Sequence, residues 1–458
     1  MKTKFYFAAL TTIVSLTAPK VFAINLIDVY NQAFVSDTKF KQDFSQWQAN
    51  KETLPIQRAN LLPQLSGTVS LNRNQNKNSG AYFDRAGGNY IPYDSSYYNN
   101  TTQYALNLTQ PIFNFGNWAG VWQAQATVKQ AEATYLAAAE DLMMRTSKAY
   151  FAILLSQDTL RYTRANKDAL RRQLDQTQHQ YEVGTIAITD LENTRAGYDK
   201  SVSQEIAAVN DLDDKIEQLA EITGVRYTSF NALQDPFPLL SPDPADIERW
   251  VKAAEKQNFS LAADSFAALS ARENIKIQNA GHLPTLNAIG GYTNGYNNNV
   301  SGYGDNGRSN VLAGSLSLSV PLFSGGQVVA KAKQAEYQYQ QALSKQEQTH
   351  RNVVSQTRQA YLGVMSGISK VKADKQTIKS DERSLRSTRA GYTVGTRTMV
   401  EVLIAQSALF NDLNSYAADK YNLIIQTLLL KQFSGTLGIG DLQKINGWLQ
   451  KPAVTQQK

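Results

Sequence analysis

The chain contains no cysteine. That excludes disulfides, thiolate metal centres and cysteine nucleophiles, and it excludes a lipid anchor carried on cysteine. Histidine is scarce: His179, His282 and His350 stand far apart, with no H-x₃-H spacing. A metal site is therefore not expected. Neither a nucleophile elbow nor a phosphate loop occurs, so the chain does not read as an enzyme and no cofactor is expected. After the N-terminus no run approaches the ~20 apolar residues of a spanning helix. Any passage through a bilayer must then be made by a β-barrel. A basic block is missing too. The formal charge of +7 falls to +4 once Lys2, Lys4 and Lys20 are set aside with the leader, and nucleic acid is not an expected partner.

The leader comprises residues 1–23. Lys2 and Lys4 form a basic start, residues 5–17 are apolar, and Val21-Phe22-Ala23 offers small residues at −3 and −1 of a cleavage site. This reads as a signal peptide, with the mature chain starting at Ile24.

Proline is absent between Pro111 and Pro236 and between Pro321 and Pro452. Both tracts are rich in Ala, Gln, Leu, Lys and Glu, which favour helix. In the first, Leu136, Ala139, Met143, Tyr150, Ile153 and Leu160 follow a 3–4 spacing broken at Thr146 and Gln157. Such a stripe is coiled-coil-like, with Ala131, Ala138 and Ala149 allowing close approach. A helix over 118–181 would be roughly 100 Å long at ~1.5 Å per residue, a rod rather than an ordinary globular helix. Charges along the rods read mostly as solvated i,i+4 faces. Each rod is broken once, at Val183-Gly184-Thr185 and at Val394-Gly395-Thr396, where glycine ends the helix and folds it back. The returning helices are expected over 188–222 and 398–433.

These turns expose a repeat. Tyr181 recurs as Tyr392 and Ala149-Tyr150 as Ala360-Tyr361, both at an offset of 211. Gln110-Pro111-Ile112-Phe113 recurs as Val320-Pro321-Leu322-Phe323, and Leu62-Pro63-Gln64-Leu65 as Leu283-Pro284-Thr285-Leu286. The chain is a duplicated unit. The expected division is 24–235, 236–435 and a C-terminal segment 436–458.

Each repeat also holds period-two stretches. Leu65, Gly67, Val69 and Leu71 alternate with polar residues, as do Tyr104, Leu106 and Leu108, and Leu312, Leu316, Leu318 and Val320. The stretch 286–292 alternates more weakly. This predicts two hairpins, over 63–113 and 284–323, of strands about ten residues long, a length that crosses an outer membrane when tilted. Residues 75–101 and 294–310, rich in Asn, Gly, Ser and Tyr, are expected as loops. Phe113, Phe115, Trp118 and Trp122 mark a strand-to-helix junction, as interfacial aromatics would. Residues 302–307 match G-x-G-x-x-G, but an Asn-rich run precedes them and a strand follows, so they read as a hairpin loop. Four strands cannot close a barrel whose smallest membrane members have eight. Several chains must each contribute two hairpins, or the strands form a soluble sheet beside a helical bundle.

The two turns differ in charge. Arg397 stands where the first repeat has Ile186, while Asp190 and Glu401 are equivalent acids. A pair between Arg397 and Asp190 across the hairpins would latch them together; two unrelated surface charges is the other reading.

The runs Gln173-Leu174-Asp175-Gln176-Thr177, Val183-Gly184, Ala187-Ile188-Thr189-Asp190 and Ala390-Gly391-Tyr392-Thr393-Val394-Gly395-Thr396-Arg397-Thr398 resemble the TolC-like outer membrane channel family. Gly281-His282-Leu283-Pro284 and Gln110-Pro111-Ile112-Phe113 extend the likeness over the mature chain. The resemblance implies a mixed α and β fold: a long antiparallel coiled-coil α-barrel continuous with an oligomeric transmembrane β-barrel, two β-hairpins per chain. It implies a homotrimer in the outer membrane of a Gram-negative bacterium, extending into the periplasm. It implies a periplasmic adaptor and an inner-membrane pump of RND, ABC or MFS type as partners, with export of drugs or secreted proteins as the function. It implies a periplasmic gate at Gln173, Thr189, Asp190, Tyr392 and Arg397 and an acidic constriction at Glu401. It implies adaptor contacts at Val183, Gly184 and Thr185 and at Val394, Gly395 and Thr396. A second acid would be expected one helical turn beyond Glu401, where this sequence has Ile404. The alternative is a non-transport envelope scaffold built on the coiled coils, which would have no use for alternating hairpins.

Overall fold

The structure, a computed structural model, describes residues 23–299 and 307–450. The signal-peptide reading rests on residues outside these, save Ala23. So does the G-x-G-x-x-G stretch, apart from Gly307, which begins a strand.

Three helices, α1 (Leu26–Ser36), α2 (Thr38–Lys51) and α3 (Thr53–Ala59), lead into a hairpin of β1 (Gln64–Asp84) and β2 (Asn89–Phe113). The long helices α4 (Phe115–Glu182) and α5 (Ile188–Thr223) follow, then the short β3 (Ala232–Leu233). The pattern recurs as α6 (Ile247–Gln257), α7 (Phe259–Asn279), β4 (Thr285–Asn299), β5 (Gly307–Ser319), α8 (Gln327–Thr393) and α9 (Met399–Phe433). The described chain closes on α10 (Ile439–Asn446) and β6 (Leu449–Gln450), and β6 pairs with β3.

Helix α4 has 68 residues, about 100 Å at the α-helical rise. Met143, Tyr150, Ile153 and Leu160 of its expected stripe are buried. Thr146 does not break the stripe; it is fully buried within it. Leu136, by contrast, is exposed. The upper part of α4 buries small residues such as Ala124, Ala126, Ala131 and Ala133 and packs on α7, so Leu136 falls off the covered face. The main core lies mid-rod. There Tyr150 and Phe151 meet Leu219, Phe230, Ile424 and Leu428, and Leu442 of α10 closes one side.

Not all helix charges are solvated. Arg145 makes two bonds to buried Asp37, Nη1 to Oδ2 at 2.9 Å and Nη2 to Oδ1 at 3.1 Å, tying α4 to the α1–α2 junction. Asp158 accepts from Tyr421 at 2.9 Å and from buried Lys420 at 3.4 Å, joining α4 to α9. These partners stand more than a hundred residues apart, so local spacing could not reveal them.

Glu140 on α4 is 5% exposed, its Oε1 buried without a partner among the described residues. Burial pushes its carboxyl up to about 8 from an ordinary 4.5. The folded state therefore holds a proton that the unfolded chain releases. Stability is full below about pH 4.5 and falls by about 1.4 kcal/mol per pH unit towards pH 8. Glu140→Gln should remove that slope and raise stability at pH 8 by a few kcal/mol in denaturant unfolding. An unchanged slope would place the titration elsewhere.

The four long strands form one antiparallel sheet in the order β1-β2-β4-β5. The first hairpin is longer than expected: β1 has 21 residues and β2 has 25, paired continuously to Asp84↔Asn89. Most of 75–101 is thus strand, not loop. Asn, Ser and Tyr lose the apolar–polar signal there, yet the two strands still pair residue by residue through their backbones. Residues 294–299 and 307–310 are strand as well.

The pleat separates two faces. One carries Leu65, Val69, Leu71, Leu106, Leu108, Leu312, Leu316 and Leu318, all exposed; the other carries Ser66, Thr68, Asn107, Ser315 and Ser317. Within the chain the sheet is open, and its outer edges are β1 and β5.

Candidate functional site

At the far end of the rods the two helix-reversing turns use the same bonds. Val183 N–H donates to His179 O, Gly184 N–H to Tyr181 O and Thr185 N–H to Gln180 O. Val394, Gly395 and Thr396 repeat this on Ala390, Tyr392 and Gly391. Both threonine hydroxyls add a bond to the same carbonyl, Thr185 to Gln180 at 2.8 Å and Thr396 to Gly391 at 3.0 Å. Gly184 and Gly395 have φ of +73° and +79°, which a side chain would resist. Val183 and Val394 are each 73% exposed at the tips. Two small apolar knobs thus protrude on rigid turns.

Beyond the turns the repeats part. Helix α5 starts at Ala187 with no side-chain cap, whereas α9 starts at Thr398 with a capping box. Glu401 N–H donates to Thr398 Oγ1 at 3.3 Å, and Thr398 N–H donates to Glu401 Oε2 at 2.7 Å. Arg397 Nη1 donates to Glu401 Oε1 at 2.8 Å. The Thr398 backbone N–H and then the Arg397 guanidinium hold the Glu401 carboxyl below the usual carboxylate range. That carboxylate stays ionised at neutral pH and gives up its bonds only as pH falls through its depressed value. Ile404, one turn on, is 64% exposed and supplies no charge.

Within one chain, then, Arg397 turns to Glu401 and not to Asp190. The charge of Asp190 instead acts on Tyr392 of the other hairpin. Burial, and after it the Asp190 charge, raises the Tyr392 phenol above its ordinary value, so it stays protonated. Its hydroxyl oxygen is buried without a partner among the described residues. Thr189 is exposed beside Asp190, and half-buried Gln173 accepts the Thr177 hydroxyl on its backbone carbonyl.

A further tie is absent from the sequence reading. Arg389 Nη2 donates to Gln406 Oε1 at 2.8 Å, and Gln406 Nε2 donates to Asn166 Oδ1 at 2.9 Å. Gln406 is 1% exposed, one turn beyond buried Val402 and two turns beyond buried Met399. This chain of bonds links α8, α9 and α4, beside a groove of about 540 Å³ between the hairpins. Its one sequence signal is a glutamine at a stripe position otherwise apolar.

Long rods with matched reversing turns, joined to an open sheet with one apolar face, have known counterparts. The sequence pattern described as "Outer membrane efflux protein" matches residues 29–225 and 250–436. The chain belongs to that family. As an outer membrane efflux protein it resides in the outer membrane of a Gram-negative bacterium and is a channel for efflux or secretion. It is 36% identical to the outer membrane protein TolC of Escherichia coli over 443 residues, 94% of this chain and 86% of TolC. It is 27% identical to the proteases secretion protein PrtF of Dickeya chrysanthemi over 449 residues, 97% of this chain and 95% of PrtF. Among solved structures it matches CusC, described as forming a transmembrane channel, with a TM-score of 0.74, covering 94% of this chain and 99% of that one at 17% identity. That match speaks for the fold alone.

Proposed function

We propose that three copies of this efflux protein assemble into one channel-tunnel. The observation that carries the reading is the open sheet. Among the described residues its edges β1 and β5 are unpaired and its exposed apolar face has no cover. An unpaired strand edge is not tolerated in hydrocarbon, so the edges must pair between copies. Three copies supply twelve strands, within the range of closed outer-membrane barrels. The rods then continue the barrel as a tunnel into the periplasm. The duplicated units 24–235 and 236–435 each give one strand hairpin and one helical hairpin to the wall.

In this reading the reversing turns are the inner entrance. Asp190, Thr189, Gln173, Tyr392 and Arg397 hold it shut through contacts between hairpins and between copies. Arg397 can reach a neighbouring Asp190 only by leaving or sharing Glu401, which suits a releasable latch. Three Glu401 carboxylates ring the constriction and concentrate negative potential there. The knobs at Val183-Gly184-Thr185 and Val394-Gly395-Thr396 meet a periplasmic adaptor, which couples the tunnel to an inner-membrane pump of RND, ABC or MFS type. The cargo is drugs or a secreted protein; membership of the efflux family supports the first, and likeness to the proteases secretion protein PrtF supports the second.

The test is native mass measurement of the detergent-extracted protein, followed by planar-bilayer recording. A trimer with cation-selective conductance, blocked by multivalent cations, is expected. A conducting monomer would overturn the assembly, and a trimer without conductance would favour a scaffold.

A further inference from the structure

Within the four long strands the charged residues, among those described, are Arg73, Lys77, Asp84, Asp94 and Arg308. The register decides where they point. Gln64↔Thr109 and the alternating pairs from it form the polar face, while Leu65↔Leu108, Gly67↔Leu106, Val69↔Tyr104 and Leu71↔Thr102 form the apolar one. Arg73↔Asn100 is the next rung of that apolar series, and Lys77↔Ser96 lies two rungs beyond it. On the other hairpin Leu318, Leu316, Gly314 and Leu312 lead to Asn310 and then Arg308, opposite Tyr296. Tyr296 itself pairs with Thr102, so Arg308 stands in the same row as Leu71.

All three cations therefore share the face that carries the apolar band: Arg308 is level with its outermost leucine, Arg73 stands one row beyond it and Lys77 three rows beyond it. Arg73 follows Leu71 by two residues, about 7 Å along the strand. The opposite face of the same stretch presents Asn72, Asn74, Asn76 and Asn78 and no cation. The face that holds the cations has one carboxylate, Asp94, a row further out than Lys77. No ion pair forms at Arg73, Lys77 or Arg308 among the described residues. The Arg73 guanidinium lies over the Tyr98 ring at 4.8 Å, which holds it flat against the sheet. Tyr292 lies in the row of Leu106 and Leu312, Tyr104 in the next row with Val69, and Tyr296 in the row of Leu71 and Arg308, so tyrosines line the outer rows of the band as an interfacial aromatic belt would.

Cations above a lipid-facing apolar band suit one kind of occupant. It must place acyl chains against the leucines and anionic oxygens from the outermost leucine row outward. We propose that this ledge binds the phosphate groups of a phosphorylated glycolipid in the outer leaflet. The inference rests on the membrane-inserted assembly proposed above. All three cations sit on β1 or β5, the sheet edges, so in a closed ring the β5 edge of one copy meets the β1 edge of the next. Each junction between copies then brings Arg308 towards Arg73, with Lys77 about 14 Å further along β1, and a lipid with two phosphates spans it.

The test compares the wild-type assembly with Arg73→Gln/Lys77→Gln/Arg308→Gln. Native mass spectrometry follows the binding of diphosphorylated lipid A, of the same lipid with its phosphates removed, and of inorganic phosphate. Wild type should bind the diphosphorylated lipid at least roughly tenfold more tightly than the triple variant. The phosphate-free lipid should bind both proteins equally and weakly. Equal binding of the diphosphorylated lipid to both proteins overturns the ledge. So does a wild type that does not distinguish the two lipids, or displacement of the lipid by millimolar phosphate. Trimer mass and conductance in neutral phospholipid should be unchanged in the variant. If wild type itself neither assembles nor conducts, the underlying assembly has failed rather than the ledge.

Discussion

Asp190→Ala, Arg397→Ser and Tyr392→Phe each raise the resting conductance of the reconstituted channel, with trimer mass and helix content unchanged. The reason lies in how these groups are placed. Arg397 is held on its own helix by Glu401, and the Tyr392 hydroxyl is buried near Asp190 without an acceptor among the described residues. Each is therefore set to gain a partner when copies meet. A guanidinium pairs with a carboxylate through two parallel bonds, a geometry lysine cannot reproduce. An exposed link of this kind contributes about 0–1 kcal/mol. Three symmetric copies together contribute up to about 3 kcal/mol, which corresponds to roughly a hundredfold change in the closed-to-open ratio. A latch of that size is small enough for adaptor and pump binding to overcome. Asp190→Ala with Arg397→Ser should be less than additive, since both remove one pair. Single-channel recording without adaptor reads the effect. Wild-type closure in the double variant would make these two charges ordinary surface groups.

Leu316→Arg should abolish most membrane insertion while leaving the helical rods folded. Leu316 is 74% exposed, pairs with Ala288, and lies within the apolar band of β5. A charged side chain at the bilayer midplane costs a barrel about 2–4 kcal/mol per site, and the trimer repeats that cost three times. Insertion into lipid vesicles should fall at least tenfold, with far-ultraviolet circular dichroism unchanged. Ser317→Arg provides the contrast. One residue along, it faces the polar side, so it should insert normally and alter ion selectivity. Equal insertion of both variants would mean that this face does not meet lipid.

The sequence by itself determined the elements that depend on neighbours in the chain. The 3–4 stripe through Met143, Tyr150 and Ile153 marked the rod, and Gly184 and Gly395 marked its reversals. Two-residue alternation marked the hairpins and which face of each is apolar. The 211-residue offset holds down to individual hydrogen bonds of the turns. What required the tertiary structure was everything decided by distant partners. The strands run past residue 75 because ladder pairing needs only backbone groups, and a sequence of Asn, Ser and Tyr does not display it. Leu136 fits the stripe but lies off the face that α7 covers. Asp37 and Arg145 are 108 residues apart, and Asn166 and Gln406 are 240 apart, so no local spacing announces either bond. Arg397 and Glu401 are only one turn apart, yet their pairing was hidden for another reason. An arginine at a helix start can reach along its own helix or across to another, and the capping box at Thr398 fixes the Glu401 carboxylate within its reach. Side-chain choice of partner is a competition among all groups within a few ångströms, and only the folded arrangement defines that set.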